Sequence, residues 1–139
     1  MAAPFAHPIE IRLHDTDVAG RLFFAHLFRH AHDAYESFMR SIGTPLDALI
    51  RQGDLILPLT HAEADYRRPM RHGDRVSIEV EVLELRRRSF AIGYRFLSET
   101  GDLLATARTL HVLIAEDGDA TPELPAALSA ALASHLSNS

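Results

Sequence analysis

The stretch Phe24-Ala25-His26-Leu27-Phe28-Arg29-His30-Ala31-His32-Asp33-Ala34-Tyr35-Glu36-Ser37-Phe38-Met39-Arg40-Ser41-Ile42 decides how the chain is organised. Its apolar positions, Phe24, Leu27, Phe28, Ala31, Ala34, Tyr35, Phe38, Met39 and Ile42, follow steps of three and four. Arg29, His30, Asp33, Glu36, Ser37 and Arg40 fill the other side. That spacing predicts one amphipathic helix, with Gly43 as its stop. It is rich in aromatic residues, so a course through the core is expected.

Upstream, Ile9, Ile11 and Leu13 alternate with Glu10, Arg12 and His14, the period of a half-buried strand. Between strand and helix the pattern breaks at His14-Asp15-Thr16-Asp17-Val18-Ala19-Gly20, which reads as a loop. Downstream, Pro45 suits the first turn of a short helix, roughly residues 45–52. Strands then follow. Leu59 to Arg68 ends at Pro69, and Arg71-His72-Gly73-Asp74 is a turn. Val76 to Val82 alternates, and the apolar phase slips at Leu83 and Leu85, which predicts a bulge. Phe90 to Phe96 is the next strand, and Thr100-Gly101-Asp102 the next turn. Leu103 to Ala115 is a last strand, ended by Asp117-Gly118-Asp119. After Pro125 a short, weak helix frays toward Ser139.

Short turns imply antiparallel pairing. The fold class is therefore α+β, a long helix against an antiparallel sheet of about five strands, in a single domain over residues 1–139. One helix leaves the far face and the edges of such a sheet uncovered, so self-association is expected.

Composition narrows the chemistry. The chain has 139 residues, 47% of them hydrophobic, enough for a core. It has no cysteine, which removes disulfides, thiolate catalysis and Cys-ligated zinc. All 14 basic residues are Arg, so Schiff-base and phosphate-loop lysines are excluded too. A formal charge of -5 disfavours nucleic acid as a partner. No apolar run reaches the roughly 18 residues of a membrane span, and Met1 to Pro8 does not read as a secretory signal. A cytoplasmic protein with no membrane partner is expected.

Three clusters carry possible chemistry. A carboxylate in the 14–20 loop, beside a helix N-terminus, lies near free backbone N–H groups that can stabilise an oxyanion. The same residues also suit a turn and a helix cap. An Asp-x-Asp phosphotransferase nucleophile fits poorly, because that chemistry needs a parallel sheet and a magnesium site. His26 and His30, four apart, have helical ligand spacing, but no third ligand is apparent. They read as solvated polar-face residues, and no metal is expected. Arg86-Arg87-Arg88-Ser89 is either an anion site or a solvated hairpin, and Arg67-Arg68 with Arg71 shares that ambiguity.

Asp15-Thr16-Asp17-Val18-Ala19-Gly20-Arg21-Leu22-Phe23-Phe24-Ala25 resembles the active-site loop of the hotdog-fold acyl-CoA thioesterases of the 4-hydroxybenzoyl-CoA thioesterase family. Ala62 to Pro69 with Gly73-Asp74, and Arg86 to Phe90, resemble that family's second strand and basic stretch, in the same order. Residues 26–38 look closest to the 1,4-dihydroxy-2-naphthoyl-CoA hydrolases of quinone biosynthesis. The resemblance implies a long helix wrapped by an antiparallel sheet, in a homodimer or a dimer of dimers with sites at the subunit interface. It implies Asp17 as catalytic base or nucleophile, Gly20 in the loop, and the Phe24 backbone N–H as the group that polarises the thioester carbonyl. Arg86, Arg87, Arg88 and Ser89 would meet the CoA phosphates. Thr60 and His61, on a strand facing the cleft, read either as groups that position water or an aromatic hydroxyl or as polar residues at the core edge. No cofactor is implied. Thioesterases linked to cell-envelope complexes carry His at the position of Phe24, so that branch fits less well. The alternatives are hydrolysis of 4-hydroxybenzoyl-CoA or a short- to medium-chain acyl-CoA, and a hotdog dimer that binds acyl-CoA without catalysis.

Overall fold

The computed structural model of the chain describes residues 4–52, 55–115 and 123–137. β1 (Phe5–Glu10) leads through a 3-10 turn (Leu13–Asp15) to α1 (His26–Ser41) and α2 (Leu46–Gln52). There follow β2 (Leu55–Ile56), β3 (Leu59–Tyr66), β4 (Arg75–Leu85), β5 (Ser89–Ser98), β6 (Leu103–Val112), β7 (Ile114–Ala115) and α3 (Ala126–Ala133). Five strands form one antiparallel sheet in the order β1-β4-β5-β6-β3, and β2 and β7 pair separately.

α1 lies across one face of this sheet, as the helical spacing predicts. It buries Leu27, Ala31, Ala34, Tyr35, Phe38 and Met39. The sheet meets it with directly opposed pairs, Ile78 with Phe96, Val80 with Tyr94 and Val82 with Ile92. Opposed residues share a face, so each pair presents one apolar surface to the helix. Gly43 ends the helix at φ 87°, a conformation that costs other residues about 1 kcal/mol. The predicted bulge falls between Val82 and Glu84. It carries Leu83 over Gly93, where a Cβ would lie 2.9 Å from the leucine side chain.

Several boundaries differ from the sequence reading. β1 begins at Phe5, and Leu13 is 71% exposed in the 3-10 turn. Pro8 is tolerated because β1 is an edge strand, where a missing N–H need not break a ladder. α1 starts at His26, leaving Phe24 63% exposed in the preceding turn. The last strand divides at Leu113, whose N–H bonds the Arg88 carbonyl at 2.7 Å instead of continuing the ladder. α3 is not a frayed end: Leu128 and Leu132 enter the core, and Ser137 N–H bonds the Val82 carbonyl at 2.8 Å. The turn expected at Asp117-Gly118-Asp119 lies outside the described residues.

The core also holds an unforeseen polar group. His111 is 1% exposed and stacks on Tyr35, ring centroids 4.3 Å apart, with Phe90 at 5.1 Å. Its Nε2 lies 2.9 Å from Thr109 Oγ1, which is 2.9 Å from the Tyr94 hydroxyl. Burial, with a smaller effect of His32, pushes the His111 pKa down to about 4. Folding therefore favours the neutral ring. That contribution is complete above pH 6.5, the ordinary value, and is lost as pH falls through about 4. The loss is on the order of 3 kcal/mol. Urea denaturation at pH 7 and at pH 4 should show His111→Gln losing less stability on acidification than the wild type. Equal losses in the two proteins would contradict this.

Candidate active site

Asp17 opens a tight turn. Gly20 N–H bonds the Asp17 carbonyl at 3.0 Å, and Gly20 takes φ 75° to close the turn. The Asp17 N–H bonds the Arg21 carbonyl at 2.8 Å, and Thr16 bridges Leu22 beneath it. Asp17 Oδ1 accepts the N–H groups of Ala19 at 2.9 Å and Arg21 at 3.4 Å. Among the described residues Oδ2 has no partner. One oxygen thus fixes the carboxylate and the other stays open on an exposed loop.

The base of the loop is tied to α1 through Asp15, which is completely buried. Asp15 Oδ2 accepts the Arg12 N–H at 2.8 Å, and Oδ1 holds the Arg29 guanidinium in a close ion pair. His30 Nε2 is 3.2 Å from the same oxygen, without the alignment of a hydrogen bond. Burial pushes the Asp15 pKa up, but the Arg12 N–H, His30 and Arg29 together bring it below the ordinary value. Burial dominates at His30 and lowers its pKa, against an opposing pull from Asp15. At neutral pH the cation held by Asp15 is therefore Arg29. His30 is 6% exposed, so it is not the solvated polar-face residue that the helical spacing suggests.

The Asp15 carbonyl accepts the Phe23 N–H at 2.9 Å, which places the next amide at the mouth of α1. No side chain caps the first turn of α1. Among the described residues the N–H groups of Phe24 and Ala25 have no acceptor. The Tyr66 hydroxyl reaches across from β3 and donates a short bond to the Phe24 carbonyl, fixing this segment from the sheet side. Tyr66 was missed in the sequence, where nothing in its local pattern signals a contact 42 residues away. Asp17, Arg21, Tyr66, Arg67 and Arg68 line one open cleft of about 280 Å³.

Asp17 and Gly20 thus share one turn, and Phe24 follows at the mouth of α1. The other residues singled out lie at the opposite end of the sheet within one chain. Phe90 and Leu59 both sit opposite His111, while Tyr66 sits opposite Ala105. The hairpin of Arg86, Arg87, Arg88 and Ser89 is therefore at the Leu59 end of β3, roughly 20 Å from the Tyr66 end at about 3.3 Å per residue. Arg86 pairs with Glu84 and Arg87 with Glu123, both loosely and in solvent. Thr60 sits at the irregularity of β3, bonding the Leu110 carbonyl at 3.4 Å. His61 is opposite Leu110 on the sheet face away from α1, where it pairs with Glu63. Between α1 and the β3 edge lies a cavity of about 440 Å³, lined by Phe28, Arg29, His32, Asp33, Ala62 and Thr109. Among the described residues no three His, Asp or Glu side chains gather where a metal would bind.

A long helix wrapped by a five-stranded antiparallel sheet, with an exposed carboxylate loop leading into the helix, is the arrangement of the hotdog class. The chain belongs to the thioesterase-like superfamily, whose family model matches residues 11–132. A 1,4-dihydroxy-2-naphthoyl-CoA hydrolase of Synechococcus elongatus is 42% identical over 105 residues, covering 75% of this chain and 76% of that protein. One from Rippkaea orientalis is 39% identical over 106 residues, covering 75% and 77%. The crystal structure of a 1,4-dihydroxy-2-naphthoyl-CoA thioesterase from Synechocystis superposes with a TM-score of 0.86 at 33% identity. That match covers 94% of this chain and 96% of that one.

The anchoring of the loop is testable without substrate. Asp15→Asn removes the buried negative charge that Arg29 faces, and should lower stability by about 2–3 kcal/mol in urea denaturation at pH 7. A loss below about 0.5 kcal/mol, the scale of an exposed pair, would contradict the account.

Proposed function

We propose that this chain hydrolyses 1,4-dihydroxy-2-naphthoyl-CoA to the free acid and CoA, with Asp17 as the reactive carboxylate. The observation that carries the proposal is the open Asp17 Oδ2 on a loop whose far end presents the Phe24 N–H. The relatives named above support the choice of acyl group. A thioester carbonyl is already electrophilic and its thiolate leaves without prior protonation, so one carboxylate and an oxyanion donor suffice. With Asp17 as base, Oδ2 takes a proton from water as the water oxygen adds to the carbonyl carbon. The Phe24 N–H donates to the carbonyl oxygen as negative charge develops on it. Collapse breaks the C–S bond, and the thiolate leaves to take up a proton. With Asp17 as nucleophile, Oδ2 adds to the carbon, the C–S bond breaks to release the CoA thiolate and leave a mixed anhydride, and water then cleaves that anhydride to the free acid and the Asp17 carboxylate. No cofactor enters either route.

The site is completed by a second copy of the chain. β3 is an edge strand, nearly all of it exposed, and Phe23, Phe24, Leu59 and Tyr66 are large apolar groups left in solvent. Antiparallel pairing of β3 with its symmetry mate removes that edge. β5 runs parallel to β3, since both are antiparallel to β6. A two-fold at β3 therefore brings the second copy's Arg86–Arg88 hairpin to the end where Asp17 lies. There it would meet the CoA phosphates, a pantetheine length from the thioester. The cavity between α1 and β3 takes the aromatic acyl group. No helix among the described residues is long and apolar enough to cross a membrane. Because CoA thioesters are its substrates, we place the protein in the cytoplasm.

Asp17→Asn keeps the size and the Oδ1 acceptor while removing the base. It should fold normally and lower kcat for thiol release by at least about 100-fold. A folded variant within fivefold of wild type would contradict the assignment.

A further inference from the structure

We infer that Thr109 reads the ring hydroxyl of the acyl group farther from the thioester, making it a specificity-determining residue at the floor of the α1–β3 cavity. The inference rests on the proposed hydrolysis of a hydroxyaryl-CoA.

Thr109 is 3% exposed and lines that cavity, with Phe28, Ala62 and the stem of Arg29 around it. It lies on β6, opposite Ala62 of the edge strand and Ile92 of β5. The other polar residues of the cavity, Arg29, His32 and Asp33, stand on α1, with the Arg29 guanidinium drawn to Asp15. A cavity whose apolar residues are joined by a few placed polar groups is the usual form of a site that orients a small ligand.

The hydroxyl of Thr109 has three hydrogen-bonding positions, one donor and two acceptors. Two are filled, by the Tyr94 hydroxyl at 2.9 Å and by His111 Nε2 at 2.9 Å. Whichever way those protons run, one position is left. If Thr109 donates to His111, it has a lone pair for a ligand hydroxyl. If both neighbours donate to it, its own proton is free. A phenolic hydroxyl gives and takes hydrogen bonds, so it fits either arrangement. The stack of Tyr35 and Phe90 on His111 holds the imidazole in place, and His111 and Tyr94 in turn fix the Thr109 rotamer. Among the described residues the nearby Tyr35 hydroxyl has no hydrogen-bond partner. The sheet-side wall of the cavity is therefore backed by a polar cluster whose bonding capacity is incompletely used.

A threonine methyl and hydroxyl are nearly matched in volume by valine, which keeps the wall and removes the bond. A site that hydrogen-bonds a substrate hydroxyl discriminates strongly against the analogue lacking it. The experiment compares kcat/KM for 1,4-dihydroxy-2-naphthoyl-CoA and 1-hydroxy-2-naphthoyl-CoA, which lacks only the distal hydroxyl. Wild type should prefer the dihydroxy ester. Thr109→Val should lower that preference about tenfold or more, and Thr109→Ser should restore it. The ratio is indifferent to a general loss of active protein, so a purely structural role would not move it. An unchanged ratio in Thr109→Val, or one that Thr109→Ser fails to restore, overturns the inference while leaving the hydrolase reading intact. Wild-type protein that releases thiol from neither ester overturns the hydrolase reading, and the inference with it.

Discussion

The buried carboxylate of Asp15 is the contact on which the site depends. A bare charge in an apolar interior costs several kcal/mol, so it persists only where bonds meet both oxygens. Here one oxygen takes the Arg12 N–H and the other faces Arg29 and His30. Those partners come from opposite sides of the loop. Arg12 precedes it, and Arg29 and His30 belong to the helix that follows. The carboxylate therefore closes residues 15–23 into a loop with fixed ends. Its own carbonyl then sets the Phe23 amide, and so the direction in which the Phe24 N–H points. Asp15 thus holds the framework from which Asp17, two residues on, projects into solvent.

The remaining constraint is the open edge of the sheet. A strand with free N–H and carbonyl groups beside large exposed apolar residues is an association surface. At this edge the cleft of Asp17 borders β3 at Tyr66, and the cavity beneath α1 borders it at Leu59 and Ala62. In the proposed dimer, a two-fold across β3 would bring the cleft of one copy beside the cavity of the other.

The parts legible in the sequence are those set by local physics. α1 is long and regularly spaced, so its period was plain. Gly43, Gly73 and Gly101 all take positive φ at predicted turns. The phase slip at Leu83 marked the bulge, although the reason, the missing Cβ of Gly93 on the neighbouring strand, is visible only in the pairing. What could not be read depended on distant partners. His30 sits on the polar side of a helical wheel, yet the loop folds over it. Asp15 and Asp17 look alike in sequence, and only their surroundings separate the buried anchor from the exposed carboxylate. Tyr66 reaches Phe24, and His111 reaches Tyr35, through tertiary contacts. His61 follows the alternation of β3 onto the far face because of an irregularity at Thr60 that has no local signature.

The central claim is that Asp17 and the Phe24 amide act on the same carbonyl, with the acyl ring in the cavity of a second copy. A crystal structure with a non-hydrolysable analogue, in which a methylene separates the carbonyl from the CoA sulfur, tests it most directly. The account predicts the analogue's carbonyl oxygen within about 3 Å of the Phe24 nitrogen, the distance expected of an oxyanion donor. It also predicts Asp17 Oδ2 facing the carbonyl carbon and the ring against Thr109 of the other chain. An analogue bound with its carbonyl away from Asp17, or with its ring outside the α1–β3 cavity, would contradict it.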